Sequence, residues 1–159
     1  MVERYNLNQI TLPTIPVPHD CVVTNILEDD EYLIFLFEED ISYHDSIQAI
    51  HPSAKGLTIR FHKTDGFRED MELYQYTSFK HQSGYMSKKP KRLFELTAHR
   101  KRPVEYLEHF VASNTMIIHL FSKNSIMLRL FTDYVEFEWI EQESYIENLE
   151  NDAWALHRI

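Results

Sequence analysis

The fold is decided by residues 116–139, which have the sequence MIIHLFSKNSIMLRLFTDYVEFEW. Two apolar runs, Met116–Phe121 and Ile126–Phe131, are joined by four polar residues, a spacing typical of a hairpin. Val, Phe and Trp then alternate with glutamate, which predicts a strand with one face toward water. This stretch therefore predicts three consecutive antiparallel strands in a meander.

Similar patterns predict further strands in the earlier part of the chain. These predicted strands are Cys21–Leu27, Tyr32–Glu38, Leu57–Phe61, Asp70–Phe79 and Leu93–Thr97. Residues Val104–Val111 fit either a strand or a helix that begins after Pro103. We therefore predict a mainly β fold, an antiparallel sheet or incomplete barrel with a C-terminal α-helix packed across one face.

The ends of the chain differ in character from this central sheet. Prolines at 13, 16 and 18 favour an extended N-terminal arm over residues 1–18. Apolar residues after position 142 fall in one arc at helical spacing, which predicts a helix over residues 142–159. No linker composition divides the chain, so we predict a single domain over residues 1–159, with the sheet in residues 19–141.

Composition excludes several classes of protein. Hydrophobic residues make up 43% of the 159 residues, which is typical of a globular domain and not of a disordered one. Only three glycines are present, which argues against glycine-rich phosphate loops, and the single cysteine fits a reducing compartment. We find no signal-like start and no long apolar run, so we expect a cytoplasmic protein that does not enter a membrane.

Two His-Asp pairs are the first candidate site. His19-Asp20 and His44-Asp45 start 25 residues apart, and each is followed by a small and then a β-branched residue. His and Asp are metal ligands, so the four residues are candidates for a small metal-dependent hydrolase. Adjacent strand residues point to opposite faces, however, so each pair offers one ligand to a shared centre. We expect the aspartates to accept backbone N–H bonds in turns, and Cys21 to be buried and inert.

The charge is segregated along the chain, whose net charge is −9. Residues 1–50 contain ten acids and one base, whereas residues 80–102 contain eight bases and one acid. This basic segment gives candidate binding residues for nucleic acid or protein, together with Trp154 near the C-terminus: Lys88, Lys89, Lys91, Arg92, Arg100, Lys101, Arg102 and Tyr85. Because acids outnumber bases, we expect the segment to fold against the acidic parts of the chain.

One short pattern resembles a known group of proteins. A His-Asp-small-β-branched opening, followed by an apolar strand ending in glutamate, is present in His19–Ile26 with Leu33–Glu38, and less well in His44–Ile50 with Leu57–Phe61. It resembles the openings of small bacterial all-β domains of unknown function, some of which resemble the immunity proteins that accompany polymorphic toxins. The pattern covers about a third of the chain. The resemblance implies a non-enzymatic protein that binds another protein.

Three functional hypotheses follow from the sequence. The first is non-catalytic protein binding in which an acidic surface meets a basic partner, as in an immunity-like protein, with no cofactor and no metal. The second is nucleic-acid binding through residues 80–102. The third is a small metal-dependent hydrolase that uses the two His-Asp pairs, which requires these pairs to converge in a concave site. The identity of the partner and the oligomeric state stay open at this point.

Overall fold

The computed structural model describes residues 1–98 and 102–142. The helix predicted for the C-terminus lies outside the described residues from position 143 onward, as do the candidate binding residues Arg100, Lys101 and Trp154.

The described residues form ten strands and three short helices. The strands are β1 (Val2–Asn6), β2 (Cys21–Glu28), β3 (Tyr32–Phe37), β4 (Ala54–His62), β5 (Glu72–Phe79), β6 (Gln82–Lys88), β7 (Val104–Ala112), β8 (Thr115–Ser122), β9 (Asn124–Phe131) and β10 (Tyr134–Glu141). The helices are α1 (Asp45–Ile50), α2 (Phe67–Asp70) and α3 (Lys91–Ala98). The prediction of a mainly β fold is confirmed.

All ten strands belong to one antiparallel sheet with the order β1-β10-β4-β3-β2-β7-β8-β9-β5-β6. Between β2 and β7 only three residue pairs join the strands, Cys21–Val23 with Tyr106–Val104. We call this short ladder the seam. It divides the sheet into a first half (β1, β10, β4, β3 and β2) and a second half (β7, β8, β9, β5 and β6).

The sheet folds back on itself at the seam. Strands β9 and β10 lie in different halves with five strands between them, yet only Thr132 and Asp133 connect them. A connection of two residues spans about 10 Å at most, so the two halves face each other at this end. Leu7 joins the same end, since its N–H donates to the carbonyl of Asp133 and its carbonyl accepts from the N–H of Asn114.

The core lies between the two halves. Every second residue of the central strands is buried, and the result is one continuous apolar cluster. Tyr106 on β7 is fully buried, and its ring contacts the rings of Phe35 and Phe37 on β3 at centroid distances of 6.5 and 6.0 Å. These contacts cross from the second half to the first, so both halves share one core.

Three local predictions from the sequence require correction or completion. Strand β10 does not extend a meander from β9, because it pairs with β1 and β4 in the other half. Leu93–Thr97 belongs to helix α3 and not to a strand, and its two end residues, four apart, are both buried. Residues Val104–Ala112, for which both readings were open, form strand β7.

The N-terminal arm is partly a strand, because Val2–Asn6 pairs with β10 as the outermost strand of the first half. No helix within residues 1–98 and 102–142 has the length and apolar character needed to cross a membrane.

Candidate functional site

The two His-Asp pairs lie near each other, but in different local structures. The hydroxyl of Ser46 donates to the carbonyl of His19 at 2.7 Å, which places α1 beside the start of β2. Asp20 has a left-handed backbone (φ 68°) just before β2, whereas Asp45 is exposed in the first turn of α1. In the described chain neither carboxylate accepts a backbone N–H, contrary to our expectation. The likeness of the two segments is therefore not a structural repeat.

Glu38 is the centre of the hydrogen bonds around these pairs. Its carboxylate accepts from the backbone N–H of Val22 at 2.7 Å and from the Tyr43 hydroxyl, and it lies 3.1 Å from Nε2 of His44. Cys21 is buried beside this group, and burial, together with the charge of Glu38, raises the pKa of its thiol to about 12. The thiol is therefore protonated at neutral pH and unsuited to nucleophilic attack.

No three His, Cys, Asp or Glu side chains of the described residues are placed to hold a metal ion. The bonds made by Glu38 and Ser46 instead tie α1 to strands β2 and β3.

Within the basic segment, Lys88 lies on β6, and Lys91 and Arg92 lie on α3. Arg92 pairs with Glu95 of the same helix at 3.3 Å and also lies 3.4 Å from the side-chain oxygen of Gln75. Within residues 1–98 and 102–142, Lys88, Lys89, Lys91 and Arg102 have no acidic partner within 4.0 Å. Among the described residues, these four cations therefore form no ion pair with the acidic parts of the chain, and the expectation that the segment folds against those parts stays a prediction.

A pocket of about 420 Å³ opens beside the seam. Its lining is mostly apolar, with one cation at Arg102, and consists of Val22–Asn25 of β2, Thr97 of α3 and Arg102–Val104 at the start of β7. The two His-Asp pairs do not line it, so this concavity does not supply the site that the hydrolase hypothesis requires.

The outer side of the second half exposes large apolar side chains. Phe110 is 53% exposed, Tyr85 50%, Phe121 41% and Tyr74 36%. Cross-strand pairing joins these residues through half-buried neighbours of the same face, which are Tyr76, Ile117, Met127 and Phe131. We call these eight residues the aromatic face. Protein surfaces normally expose large apolar side chains singly, whereas a continuous group of them is typical of a binding site.

Polar residues cross the aromatic face in one row. The Tyr85 hydroxyl donates to Oγ of Ser125 at 2.9 Å, and this Oγ is hydrogen-bonded to Nε2 of His119. Nδ1 of His119 lies 3.6 Å from Oε1 of Glu108, which is too long for a hydrogen bond. The histidine-carboxylate hydrogen bond of a hydrolytic triad is therefore not formed in this Ser-His-Glu row, which lies on the outer surface of the sheet.

Carboxylates outnumber cations on the aromatic face. Glu72 pairs with Arg129 at 3.4 Å, and the guanidinium of Arg129 also lies 4.7 Å from the Phe131 ring centroid. Glu105, opposite Phe121, and Glu108, opposite His119, have no lysine or arginine partner among the described residues. The face therefore combines exposed rings with an excess of carboxylates.

The outer side of the first half has a different character. Arg4 pairs with Glu136 and Arg60 with Glu138, both at 2.6 Å, and His62 lies 2.7 Å from Asp133. The Tyr134 ring stacks on His62, with centroids 4.4 Å apart, and its hydroxyl is hydrogen-bonded to that of Tyr32. We call these eight residues, from Arg4 to Glu138, the ladder face. Its charged groups are largely paired with one another.

Of the residues of the aromatic face, only Tyr85 was predicted from the sequence as a binding residue. Two others, Ile117 and Phe121, could have been found in β8, where they alternate with the buried Met116, Ile118 and Leu120. A strand with apolar side chains on both of its faces is normally covered by other groups on both faces.

Comparison of the chain with protein-family models, curated proteins and solved structures finds no match.

Proposed function

We propose that this domain binds another protein through the aromatic face, and that the bound surface is apolar with a basic rim. The observation that carries the proposal is the group of four exposed rings on one side of the second half, Tyr74, Tyr85, Phe110 and Phe121. Exposed aromatic side chains on a rigid sheet supply contact area at little entropic cost, and aromatic residues are enriched in protein interfaces.

The basic rim follows from the charges on the face. Among the described residues, Glu105 and Glu108 have no lysine or arginine partner, and Glu72 is matched by Arg129. A partner that places lysine or arginine opposite Glu105 and Glu108 gains complementary charge and a faster approach to this acidic chain. The same chemistry disfavours nucleic acid on this face, because phosphates need cations beside the stacking rings.

Immunity-like action toward a basic toxin is the specific form of this proposal. It rests on the resemblance of the His19–Glu38 segment to small bacterial immunity proteins. A neighbouring gene that encodes a toxin supports it, and the toxin is then the first partner to test.

The test begins with a photo-crosslinking amino acid, benzoylphenylalanine, at position 121. The chain carries it in cells of the source organism, and the same amino acid at Leu27 on the first half is the control. We expect one protein to crosslink at position 121 and not at position 27. Purified, this partner should bind the wild-type chain with an affinity that falls at least a hundredfold in F110S/F121S and about tenfold in E105Q/E108Q.

A matched control variant, I10S/L27S, removes two exposed apolar side chains from outside the aromatic face. Its affinity should equal that of the wild type. Equal crosslinking at both positions, no crosslinking at position 121, or unchanged affinity of F110S/F121S contradicts the proposal.

A second candidate function, nucleic-acid binding, is favoured by one observation. Lys88, Lys89 and Lys91 lie close together in sequence and have no acidic partner among the described residues. Fluorescence anisotropy with labelled single-stranded oligonucleotides tests it, with K88A/K89A/K91A as the variant and K55A/K123A as the control. Micromolar, salt-sensitive binding that only the triple variant loses establishes this function instead, and absence of binding by the wild type removes it.

A further inference from the structure

Strand β6 is the outermost strand of the second half, and β5 is its single neighbour among the described strands. Five of its seven residues are exposed and the other two, Gly84 and Lys88, are half-buried. One edge of its backbone therefore carries N–H and C=O groups without strand partners, a template for another strand.

The hairpin register shows which backbone groups point outward. The β5–β6 turn consists of Lys80 and His81, so Phe79 and Gln82 close it as a hydrogen-bonded pair. Hydrogen-bonded pairs alternate along an antiparallel ladder, so Gly84, Met86 and Lys88 also bond to β5. The N–H and C=O groups of Ser83, Tyr85 and Ser87 are then the ones that face the open edge.

We propose that β6 pairs with β6 of a second copy of this chain, antiparallel and with the two-fold axis at Tyr85. Tyr85 then faces the second copy's Tyr85, and Ser83 faces the second copy's Ser87. All three outward residues become members of hydrogen-bonded pairs in this register. The ladder forms six backbone hydrogen bonds, two for each of its three pairs.

The sequence of β6 is complementary to itself about Tyr85, which is the reason to assign a second copy to this edge. Met86, 55% exposed, faces the second copy's Gly84, where no atom lies within 4 Å of the position a Cβ would take. The serines match in size, and Lys88 faces Gln82, so no like charges are directly opposed. Tyr85 already packs edge-on against Tyr76, with centroids 5.6 Å apart, and the pairing places four tyrosines in one row.

The charges at the two ends of this ladder give the dimer a characteristic dependence on salt. Each end of the ladder brings Lys88 and Lys89 of one copy beside the turn of the other, which contains Lys80 and His81. Salt screens this repulsion, so dimerisation should strengthen as the salt concentration rises, opposite to the behaviour of nucleic-acid binding.

Sedimentation equilibrium on the full chain tests the proposal. The wild-type mass should rise from 19.1 kDa toward about twice that value over micromolar concentrations. Tyr85→Pro removes an outward N–H that β5 does not use, so the hairpin is kept while association falls at least tenfold. Tyr85→Phe, which keeps the ring and the N–H, is the control and should associate like the wild type. Circular dichroism checks that both variants are folded.

The register has its own test by disulfide formation. A mixture of Ser83→Cys and Ser87→Cys chains should crosslink, whereas each chain alone should not, because like positions lie about 13 Å apart along the ladder. The native Cys21 is buried and does not compete.

A wild-type mass that stays at 19.1 kDa up to about 500 µM, unchanged association of Tyr85→Pro, or equal crosslinking of the single chains overturns the proposal. The F110S/F121S variant should still dimerise, so this failure is distinct from failure of the proposed function.

Discussion

On the outside of one half of the sheet, Arg4 pairs with Glu136 and Arg60 with Glu138, although Val2 and Ile140 are also exposed there. The outside of the other half exposes a group of four rings, those of Tyr74, Tyr85, Phe110 and Phe121. The inner sides of both halves contribute buried apolar side chains to one core. The two regions therefore differ mainly in what they present to solvent. The difference teaches that the inner sides carry the stability of both halves, whereas we propose a role in recognition for one outer side alone.

The largest effect is expected where the halves share the core. Tyr106→Ala empties the contact with Phe35 and Phe37 across the two halves and should lower the free energy of unfolding by about 3–5 kcal/mol. Phe110→Ala, on the outer side of the same strand, is the matched control and should cost less than about 1 kcal/mol. Urea denaturation followed by circular dichroism and fluorescence measures both. Separate transitions for the two probes show that the halves do not share one core.

An intermediate effect is expected at His109, which holds the N-terminal arm against the second half. Nδ1 lies 2.6 Å from the Tyr106 hydroxyl and Nε2 lies 3.0 Å from the carbonyl of Ile15. Burial lowers the pKa of His109, and the hydrogen bond to Ile15 opposes this shift only in part. The folded protein thus favours the neutral ring relative to the unfolded chain, in which the pKa is about 6.5.

The stabilisation by His109 is therefore complete above about pH 6.5 and is lost as the pH falls through this value toward the lower pKa of the folded state. Urea denaturation between pH 7.5 and 5 should show wild-type stability decreasing with a steeper slope than that of His109→Gln. Equal slopes for the two proteins contradict the prediction.

The smallest effect concerns ion pairs on the two outer sides. A double-mutant cycle with Arg60→Gln and Glu138→Gln should give a coupling of about 0.5–1 kcal/mol on the ladder face, where the pair is 2.6 Å apart. The longer Glu72–Arg129 pair of the aromatic face, at 3.4 Å, should give less than about 0.5 kcal/mol. Both couplings should shrink in 1 M salt. A stronger coupling at Glu72–Arg129 reverses the comparison.

The strands themselves were predictable, because alternation in Leu57–Phe61 or Val135–Trp139 reports burial on one side of a sheet. The neighbours of β10 were not predictable, because alternation shows that a strand has a buried face but does not show which strand lies beside it. The prediction of a strand over Leu93–Thr97 was wrong because five residues with so few apolar side chains fit either a strand or a helical turn. The helix depends on the packing of α3 beside β2, which the sequence does not show.

Most of the aromatic face could not be predicted from the sequence, and part of the reason is geometric. At Leu107 the register between β7 and β8 shifts, so that Tyr106 and His109 face inward while Glu108 and Phe110 face outward. A bulge of this kind inverts the parity of a strand midway, and nothing in the order of residues marks it. Tyr85 was named only because it lies among cations in the sequence, and of these cations Lys88 is on β6, whereas Lys91 and Arg92 are on α3.

The insertion of β10 between β1 and β4 sets the timing of folding. Val2 pairs with Glu138, nearly the full described length of the chain apart, and β4 has an open apolar edge until β10 arrives. A topology of such high contact order folds slowly, on the scale of milliseconds to seconds. On the ribosome the first half stays incomplete until residue 141 has emerged, so the nascent chain exposes the edge of β4 while residues 63–141 are added.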